Sequence, residues 1–299
     1  MSETRRPPLL TFLTYNRLGN TAISLPSLLR TDSDFELHIM DNNSKDDTWD
    51  FLQATKDPRI KSRTQFNQNV GVAHPLNYAL VNRKEDQDFI NFEYDFRIHN
   101  KDFVQDFWDV LSEFPEMGAI SATTFPNQLQ LIDSEIIKTP EKFINRNGKR
   151  IYLGTIMGFC SFFPYETMNI LKYYDEINCL LDMEIQVRIE GLKKQTCYAM
   201  DIRTSHTTMG GNCDTCLAYH NPCEQGERKC LTHYKRIISD ITTTLGFDIY
   251  RQNIADRKEG KMSYTCDSLF SGNMTEEEKK GSKHILELFK NFSEAVKND

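Results

Sequence analysis

No stretch of this 299-residue chain approaches the roughly 20 consecutive apolar residues that a membrane-crossing helix needs. Residues 1–8 are polar, basic and proline-containing, with no apolar signal core, so the expected compartment is the cytoplasm. A surplus of positive charge is also missing. Lys+Arg number 36 against 43 Asp+Glu, a formal net charge of −7 with the signs intermixed, which argues against a general nucleic-acid role and leaves only a local patch open. Internal repeats and low-complexity tracts are absent, and the length suffices for one large α/β domain or two smaller ones.

Cysteine is scarce outside one segment. Cys160, Cys179 and Cys197 sit among apolar neighbours and read as buried thiols, and Cys266 carries no pattern. Cys213, Cys216, Cys223 and Cys230 instead crowd into the polar segment 211–233, which in a reducing compartment points to metal rather than disulfides. A C-x-x-C pair forms one edge of a tetrahedral site, and two further thiolates can close it around a structural Zn²⁺, with His220 and His233 as substitute ligands. Such a site would fold a loop that lacks apolar residues of its own, and zinc retained by protein purified without chelator is its observable. Reduced surface thiols or an oxidised clasp are the alternatives.

What the chain does contain is alternation. Apolar, β-prone runs at 9–14, 35–40 and 60–66 are separated by helical patterns at 20–29, where Pro26 disturbs the middle, at 48–54 and at 73–81. Each run ends in a polar loop: Thr14, Tyr15 and Asn16, then Asp41 to Thr48, then Asn69 and Gly71. This order predicts a parallel sheet flanked by helices, with ligands bound beyond the carboxyl ends of the strands. A fourth run, 89–96, reads as a buried strand ending in Glu93 and Asp95. Residues two apart on an extended chain face the same way, so these carboxylates would converge on a hard cation such as Mg²⁺ or Mn²⁺ that also takes phosphate oxygens of a nucleotide diphosphate. Further on, helices are expected at 103–114 and 180–191, the latter stopped by Gly191, and strands at 117–122, 151–163 and 197–202. Helical spacing returns at 234–245, and a capping box at Thr275 and Glu278 would open a last helix.

In order, Leu13-Thr14-Tyr15-Asn16-Arg17, Asp41-x-x-Ser44-x-Asp46-x-Thr48, Asn69-x-Gly71 with Asn77, and Glu93-x-Asp95 resemble the nucleotide-sugar half of GT-A glycosyltransferases of the family-2 type. The likeness extends over about 9–210 and implies a Rossmann-like, mostly parallel sheet flanked by helices. It further implies that Thr14, Tyr15, Asn16 and Asp41 surround the nucleobase and ribose, with Asp41 accepting a base N–H. Asn69 and Gly71 would shape the turn near the nucleoside, and Glu93, where the family usually has Asp, would lie near the ribose. Asp95 would hold Mn²⁺ or Mg²⁺ together with His206. Leu181-Asp182-x-Glu184-x-x-x-Arg188 resembles the family's acceptor helix, which makes Asp182 the general base of an inverting transfer. The usual Glu before it is replaced by Leu181.

The expected organisation is a GT-A domain at 1–210, with a nucleotide-sugar half at 1–100 and an acceptor half at 101–210. The Cys-rich zinc segment at 211–233 and a helical extension at 234–299 follow. The expected reaction moves a sugar from a nucleotide-diphosphate donor, UDP-type favoured, to a hydroxyl of a glycan, protein, metabolite or modified nucleic-acid base. Two other readings stand beside it. One is a degenerate GT-A binding module whose zinc knuckle recognises protein or nucleic acid. The other is a nucleotidyltransferase, which calls for a glycine-rich, basic phosphate loop that 14–20 does not supply.

Overall fold

The computed structural model describes residues 5–124, 138–156, 158–176, 181–207 and 247–276, together with 279, 280, 283 and 287. The four clustered cysteines, His220, His233, Cys179 and the 234–245 pattern lie outside the described residues.

The first half follows the alternation of its sequence. Strands β1 (Leu9–Thr14), β2 (Glu36–Asp41), β3 (Ile60–Gln65) and β4 (Phe89–Glu93) are linked by helices α1 (Leu18–Leu29), α2 (Thr48–Ala54) and α3 (Ala73–Leu80). They pair in parallel in the order β3-β2-β1-β4. Leu9, Leu10, Phe12, Leu37, Ile39, Phe89, Ile90 and Phe92 are buried, as expected for strands covered on both faces. Pro26 does not interrupt α1, which runs through it.

The second half adds β5 (Phe96–Ile98), α4 (Phe103–Glu113), β6 (Met117–Thr124), β7 (Phe143–Arg146), β8 (Lys149–Leu153), β9 (Cys160–Phe163), α5 (Tyr165–Leu171), α6 (Leu181–Gly191) and β10 (Gln195–His206). All ten strands form one sheet, so the halves expected at 1–100 and 101–210 share a single hydrogen-bonded surface. Its order is β3-β2-β1-β4-β9-β6-β10-β8-β7, with β5 on β10. The sheet is mixed rather than mostly parallel. β9 lies antiparallel between β4 and β6, and β5 and β8 pair antiparallel with β10. Apolar content marks a strand as buried and leaves its direction open; only the short Asn147-Gly148 turn between β7 and β8 announces a reversal. The single strand expected over 151–163 is therefore two, β8 and β9, on different neighbours.

Stacked rings tie the layers together. Phe107 of α4 meets Phe162 of β9 at 5.3 Å, while within the sheet Phe12 and Phe92 of neighbouring strands lie 6.4 Å apart. Each such buried side chain contributes about 1.5–3 kcal/mol through removal from water. Beyond β10, helix α7 (Phe247–Lys258) and the residues up to 274 pack back on α6 and α5.

Candidate active site

The strand register places the polar loops at one level. Thr14 is opposite Asp41, Asp41 opposite Gln65 and Leu13 opposite Glu93, so the carboxyl ends of β3, β2, β1 and β4 form one rim. Along it the loops are fastened to one another. Asn16 adopts φ +48°, its N–H donates to Ser44 Oγ at 2.9 Å, and its Oδ1 accepts from Lys45 N at 2.7 Å. Asp46 accepts the N–H groups of Leu18 and Thr48. Thr14 shares a 2.9 Å hydroxyl contact with Thr21. Tyr15 is half-buried on the same rim.

Asp41, expected beside the nucleobase, ends β2 at this rim. It is fully buried, and its carboxylate already accepts Ser44 N at 2.8 Å, Gln65 Nε2 at 3.1 Å and the Ser44 hydroxyl. Through these bonds Asp41 ties the loop after β2 to the end of β3. Next to it, Asn42 holds the β3–α3 turn by donating to Gly71 O at 2.6 Å and accepting from Val70 N at 2.9 Å. Asn69 Oδ1 accepts Gly71 N at 3.0 Å, and Gly71 takes φ +78°, which a side chain would strain. Asn77 is directed elsewhere, bonding Tyr174 and Glu176.

Glu93 and Asp95 converge by a different geometry from the extended strand expected of them. β4 ends at Glu93, whose N–H donates to Phe159 O at 2.9 Å, and Tyr94-Asp95 turns the chain so that β5 joins β10. Thr207 fastens the turn through two bonds to Asp95 O, at 2.7 and 2.9 Å. Asp95 Oδ2 lies 3.1 Å from His206 Nε2 at the end of β10, and Phe96 packs edge-on against the imidazole. Asp95 Oδ1 is buried with no hydrogen-bond partner among the described residues. A carboxylate oxygen withdrawn from water and unbonded, next to an imidazole nitrogen, fits a divalent cation that accepts oxygen and imidazole donors.

Asp182, in the first turn of α6, joins this group from the second half of the sheet's chain. A Cβ added to Gly158 would lie 2.5 Å from Asp182 Oδ1 and 3.2 Å from Glu93 Oε1, so the two carboxylates face one another across a bare backbone. Burial raises the Asp182 pKa, against the lowering pull of the Gly158 N–H that bonds it. Burial, with the charges of Asp95 and Asp182, holds the Glu93 carboxyl well above the usual range. Glu93, expected near the ribose, thus lies against Asp182.

Two contributors escaped the sequence reading. Asn91, inside the apolar β4 run, donates to Gly158 O at 2.7 Å and is itself held by Thr11 Oγ1 at 3.2 Å. An amide in the middle of an aromatic strand was the available signal for it. Gly158 had a weaker one, a glycine within an apolar stretch.

The sequence model of glycosyl transferase family 2 matches residues 12–163, just over half of the chain. The chain belongs to glycosyl transferase family 2. The family match runs from within β1 to the end of β9 and stops before Asp182 and His206. Among solved structures, the mannosyltransferase PcManGT of Pyrobaculum calidifontis, in complex with GDP-Man and Mn²⁺, is similar in fold, with TM-score 0.57 and 18% identity over 71% of this chain and 60% of that one. S. aureus TarS aligns with TM-score 0.50 and 14% identity over 67% of this chain and 36% of that one. TarS 1–349 in complex with UDP gives TM-score 0.50 and 14% identity over 67% of this chain and 60% of that one. This family-2 chain therefore spans less than two thirds of each of these proteins. No curated protein matches it.

Proposed function

We propose that this family-2 protein transfers a sugar from a nucleotide-diphosphate donor to an acceptor hydroxyl, inverting the anomeric carbon. The observation that carries the proposal is the meeting of Asp182, Glu93 and Asp95 at the carboxyl rim of the sheet, with Asp95 Oδ1 buried and unbonded among the described residues. In this reading the rim loops held by Ser44, Asp46 and Asn42 bind the nucleoside, and Asp95 with His206 holds Mn²⁺ or Mg²⁺. Bound there, the cation would neutralise charge developing on the departing diphosphate. Asp182 accepts the acceptor's proton as its oxygen attacks; its displaced pKa makes it a stronger base than an exposed Asp, and the Gly158 N–H keeps one carboxylate oxygen oriented. Gln65, exposed and hydrogen-bonded to Asp41, adds an amide to the base-reading end of the rim.

The relatives of like fold are recorded with GDP-Man and with UDP, so a panel of both UDP- and GDP-sugars with Mn²⁺ is the first measurement, read as ligand-induced stabilisation. With the selected donor, Asp95→Ala is expected to weaken metal-dependent donor binding. Asp182→Ala is expected to bind donor normally and to lose transfer by on the order of 100-fold or more. Turnover near wild type in the Asp182 variant would remove the base assignment.

A further inference from the structure

Helix α7 and the residues after it lie beyond the family-matched region, yet they end in contact with the helix that carries Asp182. What α7 brings to α6 is a charge. Arg257 is 2% exposed, and its Nη2 stands 3.1 Å from Asp175 Oδ2 and 3.1 Å from Glu184 Oε1. Its Nε donates to Ser263 O at 3.1 Å. Glu184 is also paired with Arg188, at 2.7 Å from Nε and 3.1 Å from Nη2, and Arg188 reaches Leu171 O and Tyr173 O. Asp175, Glu184, Arg188 and Arg257 are all buried. Two carboxylates and one guanidinium would leave this enclosed cluster with a net negative charge; Arg257 cancels it. Removing one member of a buried ion network leaves a charge without compensation, so the elements carrying the network must shift to let water in.

The cluster sits on α6 two residues from Asp182. From there Glu184 holds the first turn toward α7, leaving Asp182 against Gly158 and Glu93. The same segment grips α6 at its far end, where Gly191 lies under the Tyr264 ring so closely that a Cβ would come within 2.2 Å of it. It also anchors the loop before α6, with Ser268 Oγ donating to Glu176 Oε1 at 3.1 Å, and the end of α5, with Cys266 N donating to Leu171 O at 3.3 Å.

We infer that Arg257 is a positioning residue for the base: by neutralising the buried Asp175–Glu184–Arg188 cluster, it fixes the first turn of α6 and with it the carboxylate of Asp182. This rests on the role proposed above for Asp182. An extension outside the family-matched region thereby sets the reactivity of the site, and donor binding on the rim of β1 to β4 is independent of it.

The test compares Arg257→Met, Arg257→Lys and the charge-balanced Asp175→Asn/Arg257→Met double variant in the full chain. Arg257→Met is expected to lower kcat roughly 10- to 100-fold, the scale of a misplacement of about 1 Å, with donor affinity within about twofold of wild type. Arg257→Lys is expected to recover part of the loss and the double variant most of it, since each removes the unpaired charge. Wild-type kcat in folded Arg257→Met overturns the inference. So does a loss that appears equally in donor affinity and is not relieved by Asp175→Asn, which is what general destabilisation would give. Should Arg257→Met fail to fold, the lysine and double variants carry the same comparison. Amide hydrogen exchange across Leu181–Gly191 reads the same effect without turnover, with faster exchange expected in Arg257→Met and its reversal in the double variant. Unchanged exchange overturns the inference even in an active transferase, whereas a wild type inactive with every donor removes the proposed function and leaves this measurement intact.

Discussion

A methyl group at position 158 would have to push aside the two side chains on which the proposed chemistry depends. The displaced atoms are the ends of Asp182 and Glu93, at 2.5 and 3.2 Å, so Gly158→Ala can be accommodated by moving the carboxylates, with the fold retained. We expect it to fold and bind donor, with kcat reduced on the order of 100-fold, as for a comparable misplacement; steady-state kinetics with a donor titration checks this. Protonation gives a second prediction. The Asp182 pKa is raised by burial above the ordinary 3.8, so the acidic limb of kcat/KM should lie above that value. The sign for stability is opposite to that of a salt-bridged carboxylate. Protonated Asp182 favours the folded state; this contribution is complete below about 3.8 and is lost as pH rises through the raised folded value. Asp182→Asn is therefore expected to match or exceed wild-type stability at pH 7, with the difference closing in acid, as urea unfolding across pH will measure. At this scale the sequence displayed Glu93, Asp95 and Asp182 because carboxylates are conspicuous. Gly158 and Asn91 act through an absent side chain and one amide bond, which spacing alone does not reveal.

Among elements, the loops at the carboxyl rim are held by side chains rather than by the sheet. Asn42 alone bonds both sides of the β3–α3 turn, and its removal would strand Val70 N and Gly71 O. Each buried group left unbonded costs about 1–3 kcal/mol, so Asn42→Ala should lower unfolding free energy by a few kcal/mol and weaken nucleotide binding, read by urea unfolding and by titration with UDP and GDP. Elements with a clear period were legible: α2 was expected at 48–54 and is found at Thr48–Ala54, and 103–114 became α4 within one residue. Those whose extent depends on neighbours were not. Gly191, expected to end α6, is its last residue, but what holds it there was not visible: the positive φ falls at Lys193 (+57°), and the glycine serves the Tyr264 ring. Helix α7 has too few apolar residues to show a period, and its inner contact is an arginine.

For the molecule as a whole, the parallel strands β1 to β4 and the strands that follow are one sheet only because β9 occupies the slot between β4 and β6. A chain ended at residue 124 would keep β1 to β4 and β6 but would leave Phe89, Ile90 and Phe92 on an unpaired, strongly apolar edge. Such edges recruit other chains. The fragment 5–124 is accordingly expected to aggregate, and one carried through residue 207 to be more soluble, as sedimentation of the two will show. The fold class was readable from the alternation of the first hundred residues. The insertion of β9 was not, since pairing partners so distant in sequence leave no local mark.

That central placement also bears on the order of assembly during synthesis. β4 emerges about 70 residues before the strand that completes it, as Asn91 pairs with Ser161, so the growing chain must carry an incomplete, apolar sheet until β9 arrives. Closure of the slot brings Gly158, at the threshold of β9, beneath Asn91. The bond between Gly158 and Asp182 therefore has to wait for β9 and α6, while the rim of β1 to β4 is already synthesised.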